Sequence, residues 1–296
     1  MPSISIYRKS RGSRIFERFN WVGLSILMLV LLFPILNIVS VSMSSPSAVI
    51  AGKVSLFPKG INFKAYARAI EQPYFMRSFV NSIIYTVVGG TISLILTTLC
   101  AYPLSKKIKG RTYVIVFIML TMFFNGGMIP NYLVITRWLG LRDTMWALVL
   151  PFAVNQFTMI ILMTFFRGIP QALEEAASLD GYNPFQILIH IIIPLSIPGL
   201  VTVVLFNSLF LWNNWFHALL YFDTATKFPV MLILRNLVQG GDMATKGGAI
   251  SGDNIQFVSA SLKSAAIVFS AIPMTVLYLI GQKYFIKGVM LGSLKE

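Results

Sequence analysis

The chain has 296 residues, of which 56% are hydrophobic and only 11% are charged. Because soluble domains carry about 25% charged residues, this composition excludes a soluble globular protein and indicates an integral membrane protein. The formal net charge of +14 does not indicate a nucleic-acid-binding protein, since the basic residues flank apolar segments and form no basic stripe on a soluble domain. The basic residues instead indicate how the protein is oriented in the bilayer and where it contacts anionic lipid headgroups.

The apolar runs predict an all-α polytopic membrane protein with six transmembrane helices. A basic segment, residues 1–18, precedes an uncharged run that is longer than the roughly 20 residues needed to cross hydrocarbon. A cleavable signal peptide is the competing interpretation, and it is disfavoured because the apolar part of such peptides has only about 7–15 residues. The predicted spans are residues 21–43, 78–104, 112–135, 144–166, 198–221 and 260–285.

Short basic segments set the predicted orientation, because Lys and Arg concentrate in short cytoplasmic loops. The loop at residues 105–111 is rich in such residues, as is the N-terminal segment. Both termini are therefore predicted to be cytoplasmic, on either side of a transmembrane domain at residues 19–286, with residues 287–296 as a tail. The polar, glycine-rich segment 222–259 is predicted as an extracellular loop. The basic residues of the short loop are Lys106, Lys107, Lys109 and Arg111.

Residues 169–193 place charge between two long apolar runs and predict two short helices outside the membrane. Pro170 suits the first turn of a helix, because it has no N–H group to leave unpaired. Gly181 permits a sharp turn, and Asn183, Pro184 and Gln186 then match a variant of the capping box at the start of a second helix. The small residues of the first helix leave one side open to close approach by another protein. An amphipathic helix resting on the bilayer is the alternative.

Motifs for catalysis and for ATP binding are absent from the sequence. It contains no GxxxxGK[ST] phosphate loop, no HExxH, no paired CxxC and no GxSxG motif. His190 and His217 are isolated, and the lone Cys100 lies in an apolar run, so no metal site, enzyme activity or intrachain disulfide is predicted. The centres of the spans also lack ionisable residues, which carriers driven by an ion gradient usually need. A solute transporter that receives its energy from another subunit fits this absence better. The alternative function is a gradient-driven carrier or channel subunit, and a third possible function is that of a membrane-anchored assembly protein.

A family resemblance arises in the segment that contains the two short helices. Its spacing resembles the EAA---G---------I-LP motif of permease subunits of bacterial ABC importers, with Ile193 at the position where leucine is usual. The matching residues are Glu175, Ala176, Ala177, Gly181, Ile191, Ile193 and Pro194. Segments 126–151, 173–186 and 211–221 resemble the carbohydrate-type importers, in particular the MalG-like half of the maltose transporter and its LplC/YtcP-like subgroup. The resemblance implies the type I ABC importer permease fold with cytoplasmic coupling helices.

The same resemblance implies a function and a set of partners. The chain would pair with a second homologous permease subunit, two ATPase subunits and an extracellular solute-binding protein in a bacterial cytoplasmic membrane. It would form half of an oligosaccharide path and couple closure of the ATPase to inward and outward switching. ATP and magnesium would be held by the ATPase subunits, with no cofactor in this chain. The identity of the oligosaccharide is left open, and uronides such as alginate are compatible with the resemblance.

Four groups of candidate site residues follow. The predicted ATPase-coupling residues are Glu174, Glu175, Ala176, Ala177, Asp180 and Gly181. The C-terminal residues implied to contact the ATPase are Gly288, Gly292 and Lys295. The resemblance also implies a loop that contacts the solute-binding protein, and a flexible connector without contacts is the alternative. The residues of this loop are Gly240, Gly241, Gly247 and Gly248. The candidate solute-path residues combine aromatic faces with amides, a mixture that suits sugars, but tryptophan is also common in the aromatic belt at a membrane interface. These residues are Trp212, Asn213, Asn214 and Trp215.

Polar residues inside or near the spans form a further group. They are predicted to form hydrogen bonds between helices, because hydrocarbon offers a polar side chain no other partner. These residues are Asn81, Asn125, Asn155 and Gln156. Gly89 and Gly90 are predicted to allow two helices to approach closely.

Overall fold

A computed structural model describes residues 11–124, 126–246 and 253–293, and in these ranges the regular structure is entirely helical. The first helices are α1 (Arg11–Ser42), α2 (Pro46–Ile50), α3 (Lys64–Glu71), α4 (Phe75–Ser105), α5 (Arg111–Phe123) and α6 (Met128–Leu133), and α6 continues into a π-helical turn, Val134–Trp138. The next are α7 (Trp146–Val149), α8 (Gln156–Arg167), α9 (Gln171–Leu179) and α10 (Pro184–Ile187). A second π-helical turn, Leu188–Ile192, leads to α11 (Ile193–Leu195), α12 (Ile197–Trp212), α13 (Trp215–Tyr221), α14 (Val230–Lys246) and α15 (Asp253–Ser293).

Three helices are long and apolar enough to cross a membrane by themselves, namely Gly12–Ser42, Phe75–Ser105 and Ala260–Tyr284. Three further pairs of helices are each interrupted by a short break, so the described part of the chain has up to six spans if each pair is one span. The predicted all-α polytopic fold class is confirmed by this architecture. The predicted extracellular segment, residues 222–259, differs from a plain loop because it contains α14 and the first residues of α15.

The breaks in two of these pairs have identifiable causes in the sequence. The helical segments Pro184–Leu195 and Ile197–Trp212 meet at 83°, and Pro194 and Pro198 flank the break at Ser196. Proline lacks a backbone N–H group and its ring clashes with the preceding turn, so a helix does not pass straight through such a pair. The segments Trp146–Phe152 and Gln156–Arg167 meet at 48°, where the Asn155 side chain accepts a hydrogen bond from Thr158 N and begins a new helix.

The chain divides into two compact units. One comprises residues up to 69 together with 243–269, and the other comprises residues 70–242 together with those from 270 onward. In the first unit, α1 has exposed apolar side chains along most of its length. The polar segment after it is fastened by hydrogen bonds from Ser45 N to Lys59 O (3.0 Å) and from Asn62 N to Met43 O (2.8 Å).

The core of the second unit lies where α4, α8 and α12 pack against one another. Gly89 of α4 allows the close approach that the sequence predicts, because a Cβ atom there would lie 2.8 Å from Leu211 Cδ1. A buried hydrogen bond from Asn207 Nδ2 to Ser93 Oγ (2.7 Å) links α12 to α4. A bulky side chain at Gly89 would therefore push these two helices apart.

Candidate functional site: the α9–α10 segment and a cavity beside α8

The turn between α9 and α10 has the local structure that the sequence predicts. α9 ends at Leu179, and Gly181 adopts φ +86°, a left-handed conformation that favours glycine. The N–H groups of Gly181 and Tyr182 donate to the carbonyl oxygens of Ser178 (3.2 Å) and Ala177 (3.0 Å). This pair of bonds is the Schellman motif, which satisfies the last carbonyl groups of a helix.

The predicted capping box at the start of α10 is confirmed. Gln186 N donates to Asn183 Oδ1, and Asn183 N donates to Gln186 Oε1, both at 2.9 Å. Pro184 occupies the first turn, where a missing N–H group leaves no hydrogen bond unmade. Local interactions therefore define both the end of α9 and the start of α10.

One side of the α9–α10 segment is attached to the core, and the other is exposed. Ala177, Ile187 and Leu188 are buried in a cluster that also contains Leu104 and Phe166. The opposite side exposes large apolar groups, and such surface is typical of protein interaction sites. These exposed residues are Leu173, Leu179, Tyr182 and Phe185, of which Leu179 is 90% exposed. The predicted residues Ala176, Asp180 and Gly181 are also exposed, whereas the predicted Ala177 faces the core.

The two adjacent acidic residues of α9 have different surroundings. Glu174 forms an ion pair with Lys106, which follows the end of α4, and the two side chains are 15% and 28% exposed. The Lys106 ammonium also lies 4.7 Å from the centroid of the Tyr102 ring. Glu175 is exposed and accepts a hydrogen bond from Gln171 Nε2 (2.8 Å) within the same helix. Glu174 thus binds its own chain, while Glu175 faces outward.

Two of the candidate solute-path residues are part of the packing. Trp212 is only 1% exposed, its Nε1 donates to Ser270 O (3.1 Å), and its ring contacts Phe79 edge-on. Asn214 is buried and caps α13 by accepting a hydrogen bond from His217 N. Neither side chain is therefore placed to offer a free polar or aromatic surface to a solute in this conformation.

The other two candidate solute-path residues lie nearer the surface. Asn213 is exposed, and its Nδ2 donates back to Leu209 O (2.8 Å). Trp215 is partly covered by the guanidinium of Arg235, at 4.9 Å from the ring centroid. Contact of these two side chains with a solute stays a prediction.

A cavity of about 940 Å³ lies elsewhere in the second unit, lined by residues of α5, α6, α8, α12 and α13 and of the connecting segments near them. Its lining combines aromatic rings with amides and hydroxyl groups, and no residue of the described lining is Asp, Glu, Lys or Arg. The polar side chains of the lining are Thr121, Asn131, Asn155, Gln156, His217 and Tyr221. This is a chemistry suited to sugars, whose C–H faces pack on aromatic rings while their hydroxyl groups bind amides.

The polar residues near the spans have mixed roles. Gln156 Nε2 donates to Thr121 Oγ1 (3.3 Å), so the predicted hydrogen bond between helices is confirmed for Gln156. Asn81 Nδ2 instead donates to the backbone carbonyl groups of Thr226 (2.9 Å) and Phe228 (3.1 Å), and Asn155 caps α8. Amide side chains such as that of Asn81 can thus bind the backbone of a connecting segment instead of a neighbouring helix. The spacing of residues along a helix does not predict such a contact.

A group of ion pairs that the sequence did not predict joins the connection before α7 to the segment after α13. Asp143 Oδ2 pairs with Lys227 Nζ (2.7 Å), and Asp143 Oδ1 accepts hydrogen bonds from Asp223 N and Thr224 N, both at 3.1 Å. Arg142 forms a bidentate pair with Asp223. The Lys227 ammonium, together with hydrogen bonds from Thr224 and Asp223, holds the pKa of the Asp143 carboxyl well below its usual range. We call Arg142, Asp143, Asp223, Thr224 and Lys227 the clasp.

The only sequence signal for the clasp is the presence of opposite charges in two short connections, RWLGLRDT and FDTATK. The clasp is anchored to the first turns of α4, because Tyr85 OH donates to Lys227 O (2.8 Å) and Val230 N donates to Ser82 Oγ (2.8 Å). Lys106 and the α9–α10 segment lie at the other end of α4. At 1.5 Å per residue, the 24 positions from Ser82 to Lys106 place them about 36 Å apart along that helix.

The glycine groups predicted to contact partners fall at the margins of the described residues. Gly240 and Gly241 lie in α14, and Gly288 and Gly292 lie in α15. A helix tolerates an internal glycine at a cost of about 1 kcal/mol relative to alanine, so the glycine pair at 240–241 does not end α14. Gly247, Gly248, Lys295 and Asn125 lie outside the described residues.

Comparison with known proteins identifies the family. Residues 100–290 match the family described as binding-protein-dependent transport system inner membrane component. The chain therefore belongs to this family of membrane-embedded permeases, which are not enzymes themselves. Protein LplC of Bacillus subtilis (strain 168) is 36% identical to it, with 100% of both chains covered.

Two further proteins are similar to the chain over nearly its whole length. The polygalacturonan/rhamnogalacturonan transport system permease protein YtcP of Bacillus subtilis (strain 168) is 35% identical, over 96% of this chain and 99% of that protein. A chain in the crystal structure of a bacterial ABC transporter involved in the import of the acidic polysaccharide alginate superposes with a TM-score of 0.81 at 37% identity, over 96% of this chain and 100% of that chain. These matches define the chain as an ABC transporter permease with the type I importer fold.

Proposed function

We propose that this permease forms half of an oligosaccharide path and that the cavity near Gln156 is part of that path. The cavity carries the proposal, because its aromatic rings, amides and hydroxyl groups suit sugar rings and its described lining is uncharged. The names of its relatives support the same class of substrate, since YtcP is named for polygalacturonan and rhamnogalacturonan transport and the structural neighbour imports alginate. A second, homologous permease would complete the path.

We propose further that the exposed side of the α9–α10 segment binds an ATPase subunit, which holds ATP and magnesium. Leu179, Tyr182 and Phe185 supply an exposed apolar surface, and Glu175 supplies a charge that is free to meet a basic group. The buried side of the segment supports a coupling role, because Ala177 and Ile187 fix it to the core that α4, α8 and α12 build. Movement of a bound ATPase would therefore reach the spans through packed contacts.

The proposed topology places both termini and the α9–α10 segment in the cytoplasm. The cluster of basic residues at 106–111 supports this orientation, since such residues concentrate in cytoplasmic loops. The clasp, at the opposite end of α4, would then lie on the outer side, where a solute-binding protein docks. The glycine-rich segment around residues 240–248 is proposed to contribute to that docking.

Transport assays test the role of the cavity. The complete importer, with its second permease, ATPase subunits and binding protein, would be reconstituted in proteoliposomes and supplied with polygalacturonate, alginate and neutral oligosaccharides of matched length. We expect Gln156→Leu to lower uptake of the transported sugar about fivefold, because one hydrogen bond is worth about 1 kcal/mol. Thr164→Val is the matched control, since Thr164 lies on the same helix, bonds Ile160 O and does not line the cavity.

Two outcomes would contradict the proposal. Unchanged uptake in Gln156→Leu, with the complex intact, would remove the cavity from the path. Uptake that continues with a hydrolysis-deficient ATPase would instead support the alternative of a gradient-driven carrier or channel. Stimulation of ATP hydrolysis by only one member of the sugar panel would identify the substrate.

A further inference from the structure

Two arginines meet at the end of the bundle that carries the α9–α10 segment. Arg111 begins α5, and it shares one stripe of that helix with Ile115 and Ile118, since the three are spaced at i, i+4 and i+7. Ile115 and Ile118 pack against the buried cluster that contains Phe166 of α8. Arg167 is the last residue of α8. The packing of α5 on α8 therefore brings the two guanidinium groups to the same rim of the bundle.

Neither arginine has an anionic partner among the residues that the structure describes. Arg111 Nε is shielded from solvent and makes no hydrogen bond. Arg167 is exposed, its Nη2 donates to Met163 Sδ (3.0 Å), a weak acceptor, and the positive charge of Arg111 acts on its guanidinium. A shielded N–H donor without an acceptor is unfavourable, and two neighbouring positive charges repel each other, so an anion at this site would satisfy both arginines.

The surroundings of the two arginines favour a lipid over a protein carboxylate. The outward face of α5 exposes Tyr113 (83%) and Phe117 (68%) directly beyond the first turn, so the charged rim continues into an apolar surface. Gly110 precedes α5 with φ +81° and provides no side-chain cap, so the first turn adds its positive dipole end to the two guanidinium groups, although Arg111 N itself donates to Ile108 O (3.3 Å). An anionic group beside an apolar surface is the arrangement of a phospholipid at a membrane boundary.

We propose that Arg111 and Arg167 bind the phosphate of an anionic phospholipid headgroup, with its acyl chains along the exposed face of α5. Guanidinium groups bind phosphate oxygens through paired, charge-assisted hydrogen bonds, which lysine does not reproduce. The bound headgroup would provide the missing partner of Arg111 Nε and relieve the repulsion between the two arginines. It would also hold the start of α5 against the end of α8, next to the α9–α10 segment.

Lipid binding to the assembled importer tests the site. Complexes carrying wild-type permease, Arg111→Gln/Arg167→Gln or Lys107→Gln would be placed in nanodiscs of phosphatidylcholine with increasing phosphatidylglycerol, and retained lipids would be measured by native mass spectrometry. Lys107 is the matched control, because it is an exposed basic residue of the same short loop. About 1 kcal/mol per basic residue near an anionic surface corresponds to roughly fivefold in affinity. We therefore expect a loss of about twenty-five-fold in the double variant and at most fivefold in Lys107→Gln.

Further arms identify the source of the anion and check the fold. Inorganic phosphate at millimolar concentration should not displace the phospholipid, and displacement would show a site for free phosphate instead. Equal losses in the double variant and in Lys107→Gln would overturn the proposal in favour of general surface charge. Loss of ATPase copurification in the double variant, with lipid retention unchanged, would assign the arginines to the ATPase interface. Arg111→Lys/Arg167→Lys keeps both charges, so intermediate retention with normal assembly supports paired phosphate binding.

Discussion

The ion pair between Lys106 and Glu174 should hold α9 against α4, so its removal should weaken the coupling of ATP hydrolysis to uptake. The pair lies between two known regimes: exposed pairs are worth about 0.2–1 kcal/mol, and removing one partner of a buried pair costs about 3–5 kcal/mol. With side chains 15% and 28% exposed, we expect Glu174→Gln to loosen this attachment by about 1–2 kcal/mol. That is roughly a five- to thirtyfold change in the ratio of attached to detached α9.

Hydrogen–deuterium exchange and coupled transport measure this effect separately. Amide exchange in α9 should speed up in Glu174→Gln, and uptake per ATP hydrolysed should fall in the reconstituted importer. The exchanged pair Lys106→Glu/Glu174→Lys should recover part of both properties. Glu175→Gln is the control, because Glu175 is exposed and accepts its hydrogen bond from Gln171 of the same helix. It should leave exchange in α9 unchanged and weaken binding of the ATPase instead.

The reasoning fails if Glu174→Gln leaves both the exchange of α9 and the coupling ratio at wild-type values. It also fails if Glu174→Gln and Glu175→Gln behave identically, since the two acidic residues would then share one role. Recovery by the exchanged pair distinguishes a direct electrostatic link from a general loss of charge at this end of the bundle.

Three further predictions concern a backbone turn, an ion pair and helix packing. Gly181→Val should uncouple ATP hydrolysis from uptake, because the left-handed conformation costs a residue with a side chain about 1–2 kcal/mol. An importer with Gly181→Asn should remain coupled, since asparagine tolerates this conformation better. Asp143→Asn should lower the thermal unfolding temperature in detergent at neutral pH. Because Lys227 lowers the pKa of Asp143 in the fold, the ionic contribution of Asp143 is complete above its unfolded pKa of about 3.9 and is lost as the pH falls through the folded pKa. Gly199→Ala should destabilise the chain by about 1–3 kcal/mol, since its Cβ would lie 2.6 Å from Phe165 Cγ.

Each of these predictions has an outcome that contradicts it. Equal transport by the valine and asparagine variants at position 181 would show that the left-handed turn is unimportant. A difference in unfolding temperature between wild type and Asp143→Asn that stays constant from pH 7 down to pH 2 would remove the ion pair as its cause. A Gly199→Ala variant as stable as the wild type would show that α8 and α12 separate at no cost.

Sequence features that act within a few residues predicted the local structure well. The capping box at Asn183 and the left-handed Gly181 depend on neighbours along the chain, so both could be recognised from spacing. Membrane character and fold class followed from composition and from the family resemblance. The different environments of Glu174 and Glu175 could not be predicted, because they depend on which side of α9 meets Lys106, 68 positions earlier in the chain.

Interactions across the fold account for the differences between prediction and structure. Tryptophan is a residue type that often binds sugars, which is why the sequence suggested Trp212. In the structure its ring is buried and its Nε1 donates to the backbone carbonyl of Ser270. The clasp depends on two connections, at Asp143 and Lys227, that are 84 positions apart in sequence. The glycine pair at 240–241 suggested a loop, yet α14 continues through it, and its sequence contains no proline that would end the helix.

The bend between the two proline-flanked segments has a mechanical consequence. The segment Pro184–Leu195 lies at 83° to α12, so it forms the short arm of a lever whose long arm is α12 itself. A push on α10 therefore acts as a torque that tilts α12, whereas a straight helix would transmit it as an axial slide. Because α12 is fastened to α4 through Asn207 and Ser93, the tilt would turn the two helices together.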